Sequence, residues 1–232
     1  MMEKKHKKIV QNKKLTKKSN SIFNHSVNTK IDCSVKNNIY FMSEKEKIEE
    51  IEKHFFQIMK VLGLDMSDDS LRKTPRRVAK MFIEEIFSGL NPKNKPSFSI
   101  FENKYKYNQM LIEKNITVYS TCEHHFLPIV GKAHVGYISN GKVVGLSKIN
   151  RIVNFYAKRP QVQERLTIQI VQSLQRLLKT QDVACVIKAK HLCVNSRGIR
   201  DIDSSTITME LIGSFKRNSE IRKEFFHHIG IS

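Results

Sequence analysis

Two short pieces of this chain carry the residue types that hold metals. The first is Ser120-Thr121-Cys122-Glu123-His124-His125-Phe126, which sets Cys122 and His125 at C-x2-H spacing. The second comes much later: His191-Leu192-Cys193. Zinc sites draw on this donor set, and a catalytic zinc takes three protein ligands and leaves a fourth position for water. Cys122 and Cys193 come first, as thiolates. The C-x2-H spacing makes His125 the natural third ligand, because it closes a tight chelate loop. His124 and His191 then stand close to the metal without binding it. A metal-held water flanked by two free imidazoles is a hydrolytic site. The metal lowers the water's pKa towards about 7, and histidine is the side chain suited to moving protons there. A fourth protein ligand would instead make the site structural, and spacing alone leaves both assignments open. Buried Cys and His without metal is the weaker account of so dense a cluster.

These two pieces must be brought together by the elements around them. Val183, Cys185, Ile187 and Ala189 alternate along an apolar run and point to one face of a strand. Continuing the period puts His191 and Cys193 on that same face. Ile116-Thr117-Val118-Tyr119 and the alternating Gly131–Ile138 segment predict strands on either side of the Cys122 piece, so that piece lies in a loop or strand end. Ser139-Asn140-Gly141-Lys142 carries the Asn-Gly signal of a hairpin turn. A helix is expected from Leu146, buried through Ile149, Ile152, Val153 and Tyr156 and broken at Arg159-Pro160. A longer one follows from about Gln161 to Lys179, with Leu166, Ile170, Leu174 and Leu178 along one side. The two predict an antiparallel pair laid on a sheet. Residues 204–212 read as a last strand and Asn218 to His228 as a terminal helix, with His227 and His228 packed or solvated.

Upstream, Ser43 and Glu46 form a capping box, opening a helix that Gly63 ends. Thr74-Pro75 predicts a second helix start, with Thr74 as N-cap. Arg76 and Arg77 in its first turn oppose the helix dipole. Arg77 is therefore noted as a phosphate candidate, beside the equally good reading of a solvated arginine. Residues 1–42 are rich in Lys, Asn and Ser without periodicity and read as a mostly disordered basic tail. The division expected is a tail over 1–42, a helical region over 43–96 and a catalytic domain over 97–232.

The chain has 232 residues, 40% of them hydrophobic and 27% charged, which fits one sizeable globular domain with extensions. No apolar run approaches a membrane span, and no apolar stretch follows the charged start as a secretory signal requires. Two of the four cysteines are taken by the metal site, which suits a reducing cytoplasm. The net charge of +19 invites a nucleic-acid reading. Much of the excess sits in the tail, and neither basic-aromatic interleaving nor a helix-turn-helix signal accompanies it. The expectation is no nucleic acid and no membrane, with a basic cleft for a phosphorylated small molecule.

The stretch Ser120–Phe126, the run Gly145-Leu146-Ser147-Lys148-Ile149-Asn150-Arg151, the run Arg159-Pro160-Gln161-Val162-Gln163-Glu164-Arg165-Leu166-Thr167, and His191-Leu192-Cys193 with Arg197-Gly198 resemble type I GTP cyclohydrolase, bacterial form. The likeness runs from about residue 44 to the C-terminus, and several long motifs in the right order make it specific. It implies an α+β tunnelling fold, an antiparallel sheet with a helix pair, closed into a barrel by oligomerisation and preceded by N-terminal helices. The homo-oligomer implied is a decamer with sites between subunits. The implied reaction converts GTP and water to formate and 7,8-dihydroneopterin triphosphate, the first step of tetrahydrofolate and pterin synthesis. Carried over by motif, Cys122, His125 and Cys193 hold Zn2+, and a metal-held water attacks guanine C8. His191 protonates N7 and His124 assists proton transfer. Glu164 anchors the guanine edge as a lone buried carboxylate, Gln163 lies near the base, and Ser147 touches the ribose. Lys148, Arg151, Arg197 and Arg77 meet the triphosphate.

A zinc nucleoside or base deaminase is the alternative enzyme. It shares metal, water and a glutamate, but needs H-x-E and P-C-x-x-C, which this chain lacks. A zinc-stabilised module binding nucleic acid is the third reading. Salt-dependent DNA binding without GTP turnover would mark it.

Overall fold

Ser43 caps the first helix as its spacing predicts. Its hydroxyl accepts from the Glu46 N–H at 3.2 Å, and the Glu46 carboxylate accepts from the Ser43 N–H at 2.6 Å. Helix α1 then runs Glu44–Val61. Gly63 follows with φ of 77°, a left-handed conformation that costs glycine nothing sterically. This computed structural model describes residues 42–97 and 99–231. The expected basic tail therefore lies, up to residue 41, outside the described residues.

Helix α2 spans Thr74–Lys80, and Thr74 is its first residue rather than its cap. Lys73 takes the cap position without a side-chain bond. The Thr74 N–H donates to the Leu71 carbonyl at 2.8 Å and the Arg77 N–H to the Lys73 carbonyl at 3.1 Å, so the preceding turn runs on into the helix and its first bond starts one residue earlier than expected. The helix widens into a π-helical turn over Met81–Ile86, which an i, i+4 reading of the apolar stripe cannot distinguish.

The main sheet has five strands in the order β5-β2-β3-β6-β7. In chain order these are β2 (Met110–Cys122), β3 (Pro128–Ile138), β5 (Pro160–Gln161), β6 (Val183–His191) and β7 (Thr206–Leu211). β2, β3, β6 and β7 pair antiparallel, while β5 joins β2 in parallel. The Ser139–Lys142 turn exists, with Gly141 at φ of 81°, but it joins no hairpin. β3 pairs with β2 and β6, whereas β4 (Lys142–Val144) leaves the sheet to pair with β1 (Ile100–Glu102).

Both faces of the sheet are covered, and β6 shows why. Val183, Cys185, Ile187 and Ala189 join one core with α3 (Leu146–Ala157) and α4 (Gln163–Leu178), through Ile149, Ile152, Leu166, Ile170 and Leu174. Ala184 and Val186 point the other way, into a second core with Phe215, Phe225 and Ile229 of α6 (Ser214–Arg217) and α7 (Ser219–Ile229). A strand covered on both sides reads as a continuous apolar run, as this one does. α4 starts two residues later than the pattern suggested, because Pro160 and Gln161 are spent on β5. His227 and His228 are solvent-exposed on α7.

Candidate metal centre and active site

The sheet register gathers the chemistry at one end. β2 ends on Cys122, and β3 starts at Pro128, opposite Thr121. His191, the last residue of β6, stands opposite Ile129. On the other side of β2, Gln161 of β5 stands opposite Cys122. One strand end thus meets the loop of residues 123–127, the strand end before Cys193 and the start of α4.

The loop is closed on itself. The Phe126 N–H donates to the Cys122 carbonyl at 2.9 Å, and the Cys122 N–H to the Leu127 carbonyl at 2.8 Å. Phe126 takes φ of 54°, uncommon for a bulky side chain. Its ring lies 5.2 Å from Phe87 and 6.3 Å from Phe82, so packing against the N-terminal helical region holds the strained residue. A second clamp comes from Arg165. Its guanidinium lies 2.5 Å from the Glu123 carboxylate and donates to Gln161 Oε1 at 2.8 Å and to the Pro160 carbonyl at 2.8 Å. Glu123, Gln161 and Arg165 went unassigned in the sequence. The available signal was polar residues packed into the first turn of an otherwise apolar helix.

Cys193 arrives by a different route from the one expected. The strand stops at His191, and the chain coils into α5 (Leu192–Asn195). Period two therefore does not carry Cys193 on the strand face; the short helix does. The ligand atoms of Cys122, His125 and Cys193 nonetheless lie within 4.8 Å of one another. Burial pushes the Cys193 thiol up, as does the adjacent Cys122, while the Arg197 charge acts in the opposite sense. The Cys193 thiol thus resists ionising until a cation joins it. Two donors about 2.0–2.3 Å from one ion stand at most about 4.6 Å apart, so this donor set suits a bound metal with at most a small closure of the cluster.

The two histidines left over stay out of this cluster. His124 is exposed, with Nδ1 3.8 Å from Cys122 Sγ and its ring 6.4 Å from that of His125. His191 is half-buried, and its Nε2 lies 2.7 Å from Gln163 Oε1. Burial pushes its pKa down, and the neighbouring Glu164 charge partly offsets this. Glu164 itself is exposed, not buried as expected. It occupies the first turn of α4. Gln163, expected beside a base, instead turns inward, and protein groups engage both ends of its amide.

The expected anion contacts divide. Ser147, Lys148 and Arg151 share the start of α3, with Ser147 and Arg151 exposed and the Lys148 ammonium donating to the Ser97 carbonyl at 3.0 Å. Arg197 is exposed and close enough to act on Cys193. Arg77 belongs to a separate basic groove on α2, lined by Glu52, Arg72, Lys73, Arg76 and Lys80.

Fold and site together define an α+β protein with a Cys2His cluster placed to hold a metal ion. The family description GTP cyclohydrolase I matches residues 51–230. A GTP cyclohydrolase 1 of Flavobacterium johnsoniae is 64% identical over 188 residues, covering 81% of this chain and 84% of that protein. One from Photobacterium profundum is 54% identical over 188 residues, covering 81% and 87%. One from Vibrio cholerae is 55% identical over 182 residues, covering 78% and 84%. The chain belongs to the GTP cyclohydrolase I family. Among the described residues no helix is long and apolar enough to cross a membrane.

Proposed function

We propose that the chain hydrolyses GTP at guanine C8, releasing formate and yielding 7,8-dihydroneopterin triphosphate at the entry to tetrahydrofolate synthesis. The observation that carries this is the convergence of Cys122, His125 and Cys193, with two further histidines beside them outside the cluster. The metal is zinc, since two thiolates and an imidazole without a carboxylate favour a borderline-soft ion. When bound, zinc supplies a Lewis acid and a water that ionises near neutral pH.

The side chains do the rest. His191 holds a proton for N7, whose basicity rises on attack at C8, and His124 exchanges protons with solvent. Glu164 accepts from the N–H edge of guanine, which its exposure leaves it free to do. Ser147 meets the ribose. Lys148, Arg151 and Arg197 meet the triphosphate, a charge that needs several cations, and Arg77 meets it from the α2 groove of a neighbouring chain. The catalytic region is residues 97–232, the helical region 43–96 braces its metal loop, and residues 1–42 lie outside the chemistry. Several chains, ten by family pattern, close their sheets into a barrel in the cytoplasm.

The test is direct. Zinc-replete protein incubated with GTP should release formate and a product that becomes a fluorescent pterin on oxidation, in equal amounts. Release of ammonia with an intact imidazole ring would mean a deaminase instead.

A further inference from the structure

We propose that Gln163 is a positioning residue for His191: its buried amide holds the imidazole in the tautomer with hydrogen on Nε2 and leaves Nδ1 as the nitrogen that takes up a proton and passes it to N7 of the substrate. This rests on the active-site assignment of His191 made above.

The direction of each hydrogen bond follows from which groups can donate. Gln163 is 1% exposed. Its Nε2 lies 2.9 Å from the Ile187 carbonyl and 3.1 Å from the Thr206 carbonyl. Carbonyl oxygens only accept, so the amide nitrogen must face them. A flipped amide would set acceptor against acceptor twice. The same nitrogen lies 3.1 Å from Thr208 Oγ1. Thr167 spends its single hydroxyl hydrogen on the main-chain carbonyl of Gln163, at 2.8 Å. In the 2.7 Å pair between Thr167 and Thr208, Thr208 must therefore be the donor. The two amide hydrogens are shared among the two carbonyls and Thr208 Oγ1, Thr208 donates to Thr167, and Thr167 donates back to the Gln163 carbonyl, which closes the circuit. Reversing one member breaks the others, and unmade bonds among buried groups are costly.

What remains is Gln163 Oε1, 2.7 Å from His191 Nε2. An amide oxygen only accepts, so Nε2 carries hydrogen. A free imidazole exchanges tautomers; here α4, β6 and β7 together select one. The bond a histidine makes with one nitrogen sets what the other can do. Nε2 is also taken from any metal, in keeping with a three-ligand cluster that omits His191. Gln163 thereby moves from base contact to support.

Magic-angle-spinning spectra of zinc-loaded protein labelled with 15N-histidine read the tautomer, because protonated and unprotonated ring nitrogens resonate far apart. His191 is assigned by the signals missing in His191→Asn. The expected result at pH 8 is a protonated Nε2 and a bare Nδ1 in the wild-type protein; the opposite pattern overturns the proposal without any other variant. Gln163→Met keeps the length and removes donor and acceptor. It should show both His191 tautomers and lose roughly 10- to 100-fold in kcat, with KM for GTP changed by less than about threefold. A raised KM with the tautomer unchanged would make Gln163 a base contact and overturn the idea. Should Gln163→Met fail to fold, Thr208→Val breaks the circuit from the sheet side, and the same loosened tautomer is expected; an unchanged one counts against the circuit. Wild-type protein that makes no formate from GTP would defeat the proposed activity, whereas active wild type with hydrogen on Nδ1 defeats this inference alone.

Discussion

Cys193 and His191 sit two residues apart, and the different work proposed for them can be separated by substitution. Cys193→Ser removes one of three ligands and should lose both metal and GTP turnover. His191→Asn leaves all three ligands, so about one zinc per chain should remain while formate release fails. Metal content and formate measured on the same preparations check both. Loss of zinc from His191→Asn would make His191 a ligand; full activity with zinc retained would move its role to His124. Glu164 is the second test at this scale. Glu164→Gln exchanges one acceptor for a donor against the base, a mismatch costing on the order of 1–3 kcal/mol once substrate covers it. GTP turnover should fall by about tenfold or more at unchanged zinc, and normal kinetics would reduce Glu164 to a helix-start acid favouring the dipole. The donors were legible in the sequence because Cys and His are sparse and clustered. The Glu123–Arg165 clamp was not, because its partners lie 42 residues apart and a single sequence carries no sign that two such charges meet.

At the scale of elements, β2 and β3 carry a device that pH should expose. Their register shifts between Glu113 and Ile116, and Asn115 in that bulge takes φ of 61°. The bulge is held by a bond from the Asn115 N–H to Nδ1 of buried His134, at 3.4 Å. Nδ1 can accept only while it carries no hydrogen. Burial, and then the charge of Lys114, push the His134 pKa below its usual value of 6.5. A neutral base in the fold that protonates more readily when unfolded stabilises the fold above about pH 6.5, and that contribution is lost as pH falls towards the lowered value. The midpoint of thermal unfolding should therefore drop between pH 7.5 and 5.5, and His134→Gln should flatten the drop; equal slopes for both proteins would remove His134 from the account. Period two made β6 and its buried face readable. It failed past His191 because a strand's end depends on one change of backbone angle, and the two-residue β5 is too short to have a period. The π-helical turn escaped for a related reason, since one extra residue per turn leaves the apolar stripe almost unmoved.

The whole molecule ends its sheet on edges that a single chain leaves open. β5 covers only the last residues of β2, so Tyr119 is 66% exposed there. At the other end, β7 turns Thr208 inward to Gln163 but presents Ile207 and Met209 outward, 45% and 49% exposed. Open edges flanked by apolar side chains pair with other chains unless something covers them. Closure by copies of the same chain is the economical answer, and the edges it uses belong to β2 and β7, distant in sequence from the basic tail. Removal of residues 1–40 should accordingly preserve both assembly and GTP turnover, measured side by side; a correctly assembled truncation without turnover would give the tail a part in the chemistry. The edge itself gives the sharper trial. Ile207→Lys with Met209→Lys places two charges on β7 without touching Thr208, Gln163 or the Cys2His cluster. Wild-type protein should sediment as a closed ring of several chains, with ten the number expected. The paired variant should sediment as smaller species that keep their zinc and lose GTP turnover in step with assembly, because a site completed between subunits cannot form in an open sheet. Wild type that sediments as a single chain with full turnover would show that one chain suffices. A variant that stays assembled would mean that the contact between copies lies on another face.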